Sequence, residues 1–370
     1  MSLSPFHISL VKDMSSKFTR PKLKAIDFFC GGGGMTCGLR QAGIDVLAGV
    51  DNNLKCRETY ERNNSPAKFI GENITELPLN YFTNHFGVQP WDESLILVGC
   101  SPCQYYSIIN TDKNKALLSR NLLMDFLGFV RQYMPGYVLV ENVPGILTKK
   151  DTVWHDFKFA MQKLGYYFDY HILDLSYYGV PQSRKRFSFI ASRLDHNVTL
   201  PPPDNRQAVL KDFIGEKNGF PTVPAGYRDN SDFNHTVAAL SDVTLERLRH
   251  TRHDGGSRSD WANIPHLQLK CFVGRDDCFI DTFGRMRWDK PASTITTRFT
   301  SVSNGRFAHP DEDRGISLRE GATLQTFPKN YVFVTSSMTE TAKMIGNAVP
   351  PEYARRLGET IKTLENNGTI

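Results

Sequence analysis

At 370 residues the chain is more than twice an ordinary single domain of ~150 residues, so one large domain with an appended lobe, or two domains, is expected around a substantial core. With 40% apolar, 11% aromatic and 22% charged residues, the composition excludes a collagen, a coiled coil or a globally disordered chain. Forty-four Lys+Arg against 39 Asp+Glu leave a formal charge of +5, which permits a nucleic-acid partner without demanding one.

No apolar run reaches the ~18 residues needed to cross a bilayer, and the N-terminus has no long apolar stretch leading to a small-residue cleavage site. The expectation is a soluble, cytoplasmic protein with no membrane role. The seven cysteines (30, 37, 56, 100, 103, 271 and 278) are an odd number in a long chain without a signal peptide, and read as reduced thiols rather than a disulfide framework.

Residues 1–20 read as a weakly ordered lead-in. From Lys24 to about Arg193, short apolar runs alternate with helix-length amphipathic stretches, the rhythm of parallel strands joined by crossover helices. Strands are predicted at Leu23–Phe29, Asp45–Val50, Leu95–Val98, Tyr137–Val140, Phe168–Leu173 and Phe187–Ala191, with helices at Met35–Ala42, Leu54–Arg62, Leu122–Tyr133 and Thr152–Leu164. This is an α/β, Rossmann-like doubly wound sheet. Pro201-Pro202-Pro203 closes the pattern, and the chain to about Trp288 is loop-rich, as expected of a separate, less regular lobe. Periodicity resumes after Pro291, where Leu318–Gln325 and Pro351–Leu364 read as helices returning to the first domain. The division expected is 1–20, 21–195, 196–290 and 291–370.

Four glycines, Gly31–Gly34, stand where the first strand must turn into the first helix. Glycine there accepts positive φ and lets backbone N–H groups approach a ligand closely. About twenty residues on, Asp51 ends the second strand, where a carboxylate can bind ribose hydroxyls. The glycines do not fit the dinucleotide pattern cleanly, and the chain has no Gly-x-x-x-x-Gly-Lys-Ser/Thr phosphate loop. A nucleoside without phosphates is therefore the better fit, and S-adenosylmethionine (AdoMet) is the commonest such cofactor on this fold.

Leu95–Val98 leads into Gly99-Cys100-Ser101-Pro102-Cys103-Gln104, which puts Cys103 at the carboxyl edge of the sheet, a nucleophile's position. A thiol of pKa near ~8.5 needs positive charge or helix-end dipoles nearby to be activated. Three readings compete. A zinc half-site needs two further ligands, and Cys271 and Cys278 are a poor complement, so no metal is expected. A redox pair usually opens a helix in a smaller domain, and a buried inert cysteine is the third.

Tyr137–Val140 runs into Glu141-Asn142-Val143-Pro144-Gly145. Glu141 is either a solvated cap or a carboxyl that desolvation keeps protonated near neutral pH. Further on, Arg184 and Arg186 share one face of an extended segment while Lys185 points away; a charged loop is the plainer reading.

Together, Asp27-Phe-Phe-Cys-Gly31 to Gly34, Pro102-Cys103-Gln104, Glu141-Asn142-Val143, Gln182-x-Arg184-x-Arg186 and Gly346-Asn347-Ala348-Val349-Pro350-Pro351 resemble, in order and spacing, the cytosine-C5 DNA methyltransferases, most closely the small bacterial modification enzymes. Arg319-Glu320, followed by Gln325, Phe327 and Pro328, matches that family's penultimate motif. The likeness spans roughly residues 23–360 apart from the middle lobe. It implies an AdoMet-dependent class I methyltransferase fold, a target-recognition lobe, double-stranded DNA in the cleft between them, and a terminal helix packed beside the first strand to complete the cofactor pocket.

Carried over by position, Phe29, Gly31, Gly33, Gly34, Asp51, Asn52, Asn73, Ile74, Pro102, Asn347 and Ala348 would line AdoMet. Cys103, Glu141, Arg184 and Arg186 would form the catalytic set. The resemblance further implies covalent attack by Cys103 on carbon 6 of an extruded cytosine, a closing loop at Asn110–Lys115, a monomer in a bacterial cytoplasm near the nucleoid, and a restriction endonuclease linked in function but not necessarily bound.

Two positions depart from the family pattern. Gly71-Glu72-Asn73-Ile74 replaces Gly-Asp-Ile, leaving Asn73 as an uncharged acceptor for the adenine amine. Ser101 replaces the usual Phe, removing an apolar wall near the cofactor. In the lobe, Arg247, Arg249, Arg252 and Arg258 are the candidates for phosphate or guanine contacts, with Gln104 beside the nucleophile; a solvated helix face paired with Glu246 and Asp254 is the alternative. A tRNA cytosine-C5 methyltransferase of the same fold is the rival reading, favoured faintly by Lys270-Cys271-Phe272-Val273. A silent DNA-binding regulator would be expected to lack Cys103 or Glu141.

Overall fold

The structure is a computed structural model that describes residues 21–102, 121–148, 153–272 and 279–367. Its centre is a seven-stranded sheet. The strands are β1 (Lys24–Phe28), β2 (Asp45–Val50), β3 (Lys68–Ile70), β4 (Leu95–Gly99), β5 (Tyr137–Asn142), β6 (Tyr167–Asp174) and, after the short β7 (Gln182–Ser183), β8 (Lys185–Ser192). The order is β3-β2-β1-β4-β5-β8-β6, all neighbours pairing parallel except β8, which runs antiparallel to β5 and β6. Strand order reverses between β1 and β4, so the loops after these two strands open side by side at the switch point where open α/β sheets bind ligands.

Alternation along each strand divides the core. Ala25, Val46, Ile96, Val98, Leu139 and Ile190 face one side, and Ile26, Phe28, Val50, Leu97, Val138, Phe187 and Phe189 the other. The first side is covered by α1 (Gly34–Gln41) and by the terminal helix. The second is covered by α3 (Tyr81–Phe86), α4 (Leu122–Tyr133) and, beyond the single turn α5 (Gly145–Thr148), α6 (Trp154–Lys163). A 3₁₀ turn at Leu54–Cys56 opens α2 (Arg57–Asn64), where one continuous helix from Leu54 was expected.

The antiparallel β8 departs from the all-parallel expectation, because an apolar run carries no strand direction. β3, α3 and the later helix at Met338–Asn347 were not among the predicted elements either; β3 and α3, three and six residues long, show too few periods to read. The irregular lobe contributes α7 (Asp242–His250), and just after the lobe β9 (Ala292–Ser293) pairs parallel with β7 in a separate two-stranded sheet. α8 (Leu318–Leu324), α9 (Met338–Asn347) and α10 (Pro351–Asn367) follow. The last helix packs on α1, where a side chain at Gly38 would come within 2.5 Å of the Ala354 Cβ and one at Gly358 within 2.8 Å of the Ala42 Cβ, and its Leu357 and Ile361 share a core cluster with Ala25 of β1.

Leu248, Trp261, Leu267, Phe283, Val302 and Ala308 form a small separate core in the lobe. With little regular structure there, backbone carbonyls need other donors, and buried guanidinium groups with five N–H each supply them. Arg285 donates to the carbonyls of Thr251 (3.0 Å), Leu248 (2.8 Å) and His309 (3.0 Å), and Arg306 to those of Gly255, Gly256 and Arg285.

Candidate active site

The glycine turn is held from three directions. Asp51, at the end of β2, accepts from Gly31 N (2.8 Å) and Asn53 N (2.8 Å); burial pushes its carboxyl up while these two donors pull it down. From the far end of the chain, Tyr331 Oη donates to the Gly32 carbonyl (2.5 Å) and accepts from Asn64 Nδ2 (2.9 Å). Beneath, the fully buried Asp27 accepts from Thr36 Oγ1 (2.7 Å), its other oxygen has no partner among the described residues, and burial pushes its pKa up to about 7.

The glycines differ in purpose. At Gly33 (φ +89°) an added Cβ would lie 2.4 Å from Asn64 Nδ2, and at Gly34 2.3 Å from the Val349 carbonyl, so these two permit close packing. At Gly31 (φ +50°) an added Cβ would meet nothing within 4 Å, which leaves open space above the turn. Phe29, beside it, holds φ +63°, an uncommon conformation for a bulky residue.

The other expected cofactor residues differ in exposure. Asn52, Pro102 and Asn347 are exposed, and Asn73 is half-buried, its Oδ1 accepting from Thr75 N (3.4 Å). Ile74 is buried in the core, and Ala348 packs near Gly34.

One strand over, β5 pairs with β4 up to Gly99↔Val140, so Glu141 follows at the same edge as the Cys100–Pro102 segment. Arg186 Nε stands 3.0 Å from Glu141 Oε1. The contact is off the hydrogen-bonding line, so this buried oxygen has no aligned donor among the described residues. Desolvation pushes the Glu141 carboxyl up, opposed by Arg186 and Arg184. Asn142 Nδ2 donates to both the backbone oxygen and the hydroxyl of Ser101 (3.1 Å each), so Ser101 in place of Phe provides an anchor for the segment entering Cys103. Burial pushes the Cys100 thiol well up, which makes it a poor thiolate. Cys103, Gln104 and Asn110–Lys115 lie outside the described residues.

Arg184 and Arg186 part company. Arg186 serves Glu141, whereas Arg184, expected in the catalytic set, is buried and donates to the carbonyls of Ile295 (3.1 Å), Gly346 (3.4 Å) and Ala348 (3.2 Å). Gln182 and Gln325 extend that bracket. Gln182 donates to Gln325 Oε1 (2.8 Å) and accepts from Ile295 N (2.9 Å), and Gln325 donates to the Ile345 carbonyl (2.6 Å). Gln182 and Gln325 stood in the motifs quoted from sequence without an assigned role, and Tyr331 was not singled out.

The lobe candidates divide in the same way. Arg249 and Arg252 are exposed. Arg247 and Arg258 are buried and are corrected from candidate DNA contacts to parts of the lobe core: Arg247 donates to the Leu267 carbonyl (2.8 Å) across the rings of Trp261 and Phe283, and Arg258 lies 4.6 Å from the Phe272 ring centroid. An arginine on a short helical turn faces inward wherever uncapped carbonyls and aromatic faces await it.

A doubly wound α/β sheet with a glycine turn over open space, and a buried carboxyl–guanidinium pair at the next strand ends, defines an AdoMet-fold class I methyltransferase architecture. The C-5 cytosine-specific DNA methylase family model matches residues 23–363. The type II methylase M.HgiDII of Herpetosiphon aurantiacus is 36% identical over 91% of this chain and 94% of its own length, and M1.HphI of Haemophilus parahaemolyticus is 28% identical over 93% and 88%. Among solved structures, a DNA modification methyltransferase encoded within an E. coli prophage superposes with a TM-score of 0.70 at 21% identity (93% of this chain, 100% of that one), and a DNMT2 variant of Spodoptera frugiperda with 0.58 at 18% (93% and 100%). These two likenesses concern the fold. The chain belongs to the C-5 cytosine-specific DNA methylase family and is a DNA cytosine-5 methyltransferase.

Proposed function

We propose that the chain transfers a methyl group from AdoMet to carbon 5 of a cytosine swung out of duplex DNA, with Cys103 as transient nucleophile. The observation that carries this reading is the buried Glu141–Arg186 pair at the strand edge that also carries Cys100–Pro102, with Glu141 Oε1 left without an aligned donor among the described residues. AdoMet fits the neighbouring turn: Gly31 borders open space, and the Asp51 carboxylate stands at its rim. Phe29, Gly31, Gly33, Asp51, Asn52, Asn73, Pro102 and Asn347 would hold the cofactor, which when bound supplies an electrophilic methyl group.

Extrusion of the base costs roughly a few kcal/mol and is required because ring atoms are unreachable in a stacked duplex. The Cys103 thiolate adds to carbon 6, and the electron pair of the C5–C6 double bond moves to carbon 5. Glu141, kept protonated by burial, donates to ring N3 and accepts from the exocyclic amine, and Arg186 donates to O2, which together stabilise the charge that develops on addition. Carbon 5 takes the methyl group, the donor sulfur retaining the bonding pair. A base then removes the carbon 5 proton, the C6–S bond breaks, and the thiolate and the aromatic ring are restored. Arg184 holds the Asn347–Ala348 end of the cofactor site through backbone carbonyls.

The names of the relatives support a type II modification role, protecting host DNA beside an endonuclease, and the irregular lobe is the part proposed to read sequence. We place the enzyme in the bacterial cytoplasm as a monomer. The decisive experiment is incubation of assorted duplex DNAs with labelled AdoMet, followed by bisulfite sequencing. Carbon 5 label at one sequence is expected, as is a denaturation-resistant adduct at Cys103 on DNA bearing 5-fluorocytosine. Label on tRNA with inert DNA, or turnover retained by Cys103→Ala, would overturn the reading.

A further inference from the structure

A surface groove of about 200 Å³ lies beside β9 at the end of the lobe, lined by Met286, Arg287, Lys290, Pro291, Ala292, Ser293 and Arg306. Three of its lining residues are cations and none is an acid. Arg306 is committed to the floor, since it donates to Asp281 (2.8 Å) and to the Gly255, Gly256 and Arg285 carbonyls. Arg287 and Lys290 are exposed, and neither side chain has an ion-pair partner among the described residues. The acids nearest in chain and space are otherwise placed: Asp254 accepts from Trp288 N (2.8 Å), Asp311 accepts from Trp288 Nε1 (2.8 Å), and Asp289 does not line the groove.

The Arg287 stem is also constrained. It crosses Gly255 (φ +110°) so closely that an added Cβ there would lie 2.3 Å from Arg287 Nε, which narrows the space this cation samples.

The position of the groove relative to Glu141 follows from strand register. Ser293 of β9 lies opposite Ser183 of β7, and Arg186 is three residues further on. At ~3.3 Å per residue that separation is at most about 10 Å along the chain. The ladder spacing adds ~4.8 Å, so the Ser293 edge of the groove lies within about 15 Å of Arg186, a few nucleotides at one phosphate per ~3.4 Å of helix axis, and Lys290 and Arg287 follow three and six residues further from Ser293.

We propose that Arg287 and Lys290 seat the backbone phosphates of the target strand next to the extruded cytosine. This deepens, and rests on, the DNA-methylating reading. Cations here carry no sequence information; they fix register and hold the flanking backbone while one nucleotide rotates out.

The test is the salt dependence of duplex DNA binding by the full chain and by Arg287→Ala, Lys290→Ala and the double variant. Each lost phosphate contact is expected to lower the slope of log K against log salt by about 0.9, and the double variant by about 1.8. AdoMet affinity should be unchanged, Arg287→Lys should keep the slope, and Lys163→Ala on α6 should leave it as in the wild type. Methylphosphonate linkages beside the mapped target cytosine should weaken the wild type but not the double variant. Duplex binding with identical slopes in wild type and double variant would overturn the groove alone. A wild-type chain that neither binds nor methylates duplex DNA would overturn the groove and the function together.

Discussion

Arg186 Nε stands 3.0 Å from Glu141 Oε1 with both side chains nearly out of water, while Arg184, two residues earlier, spends its donors on the carbonyls of Ile295, Gly346 and Ala348. The two arginines of one motif thus divide the work: one pairs with the buried Glu141, the other fastens the Gly346–Ala348 segment to Ile295.

For Glu141 the consequence is a pH-dependent rate. Burial raises its carboxyl, so the neutral donor persists toward neutral pH and activity is lost as pH rises through that raised value. Glu141→Gln should lower kcat by about 10²–10⁴-fold, remove that basic limb, and leave AdoMet affinity intact. A kcat–pH profile of both proteins with isothermal titration of AdoMet checks this.

Asp27 predicts a stability slope. Its folded pKa of about 7 exceeds the ordinary 3.8, so its contribution is fully present below about pH 4 and lost as pH climbs through about 7. The shift corresponds to roughly 4 kcal/mol at most. Asp27→Asn should flatten denaturant-measured stability between pH 5 and pH 8 and be relatively more stable at the higher pH.

Glu320 predicts the reverse slope. Arg314, paired at 2.7 Å, holds the buried Glu320 carboxyl down at about 2 despite desolvation, and its contribution is present above the ordinary 4.5 and lost as pH falls toward 2. Glu320→Gln leaves Arg314 paired with Glu312 alone and should cost about 1.5–3 kcal/mol at pH 7, the range for hydrogen bonds to charged groups. Urea melts at pH 7 and pH 3 should show the gap between wild type and variant narrowing at the acid end, and it should close only as pH falls to about 2.

The glycine turn separates binding from folding. Gly33→Ala combines positive φ with a 2.4 Å approach to Asn64 and should fail to fold or melt well below the wild type. Gly31→Ala meets no neighbour and should cost only the left-handed strain of about 1–2 kcal/mol, yet weaken AdoMet binding by crowding the open space. Thermal melts and AdoMet titration of both variants distinguish the two effects.

Strand ends are local properties, and they were legible. The glycine turn after Phe28, the Cys100–Pro102 segment after β4 and Glu141 after β5 each follow an apolar run that meets a polar or flexible residue. Periods of two and 3.6 likewise located α1, α4 and most strands. Tertiary structure alone decided the antiparallel course of β8, the hold of Tyr331 on Gly32 from 299 positions away, the split between Arg184 and Arg186, and the burial of Arg247 and Arg258. An arginine's sequence neighbours do not say whether water, a carboxylate or a row of orphan carbonyls will face it. That depends on which distant segments leave their backbone unpaired once the chain has closed on itself.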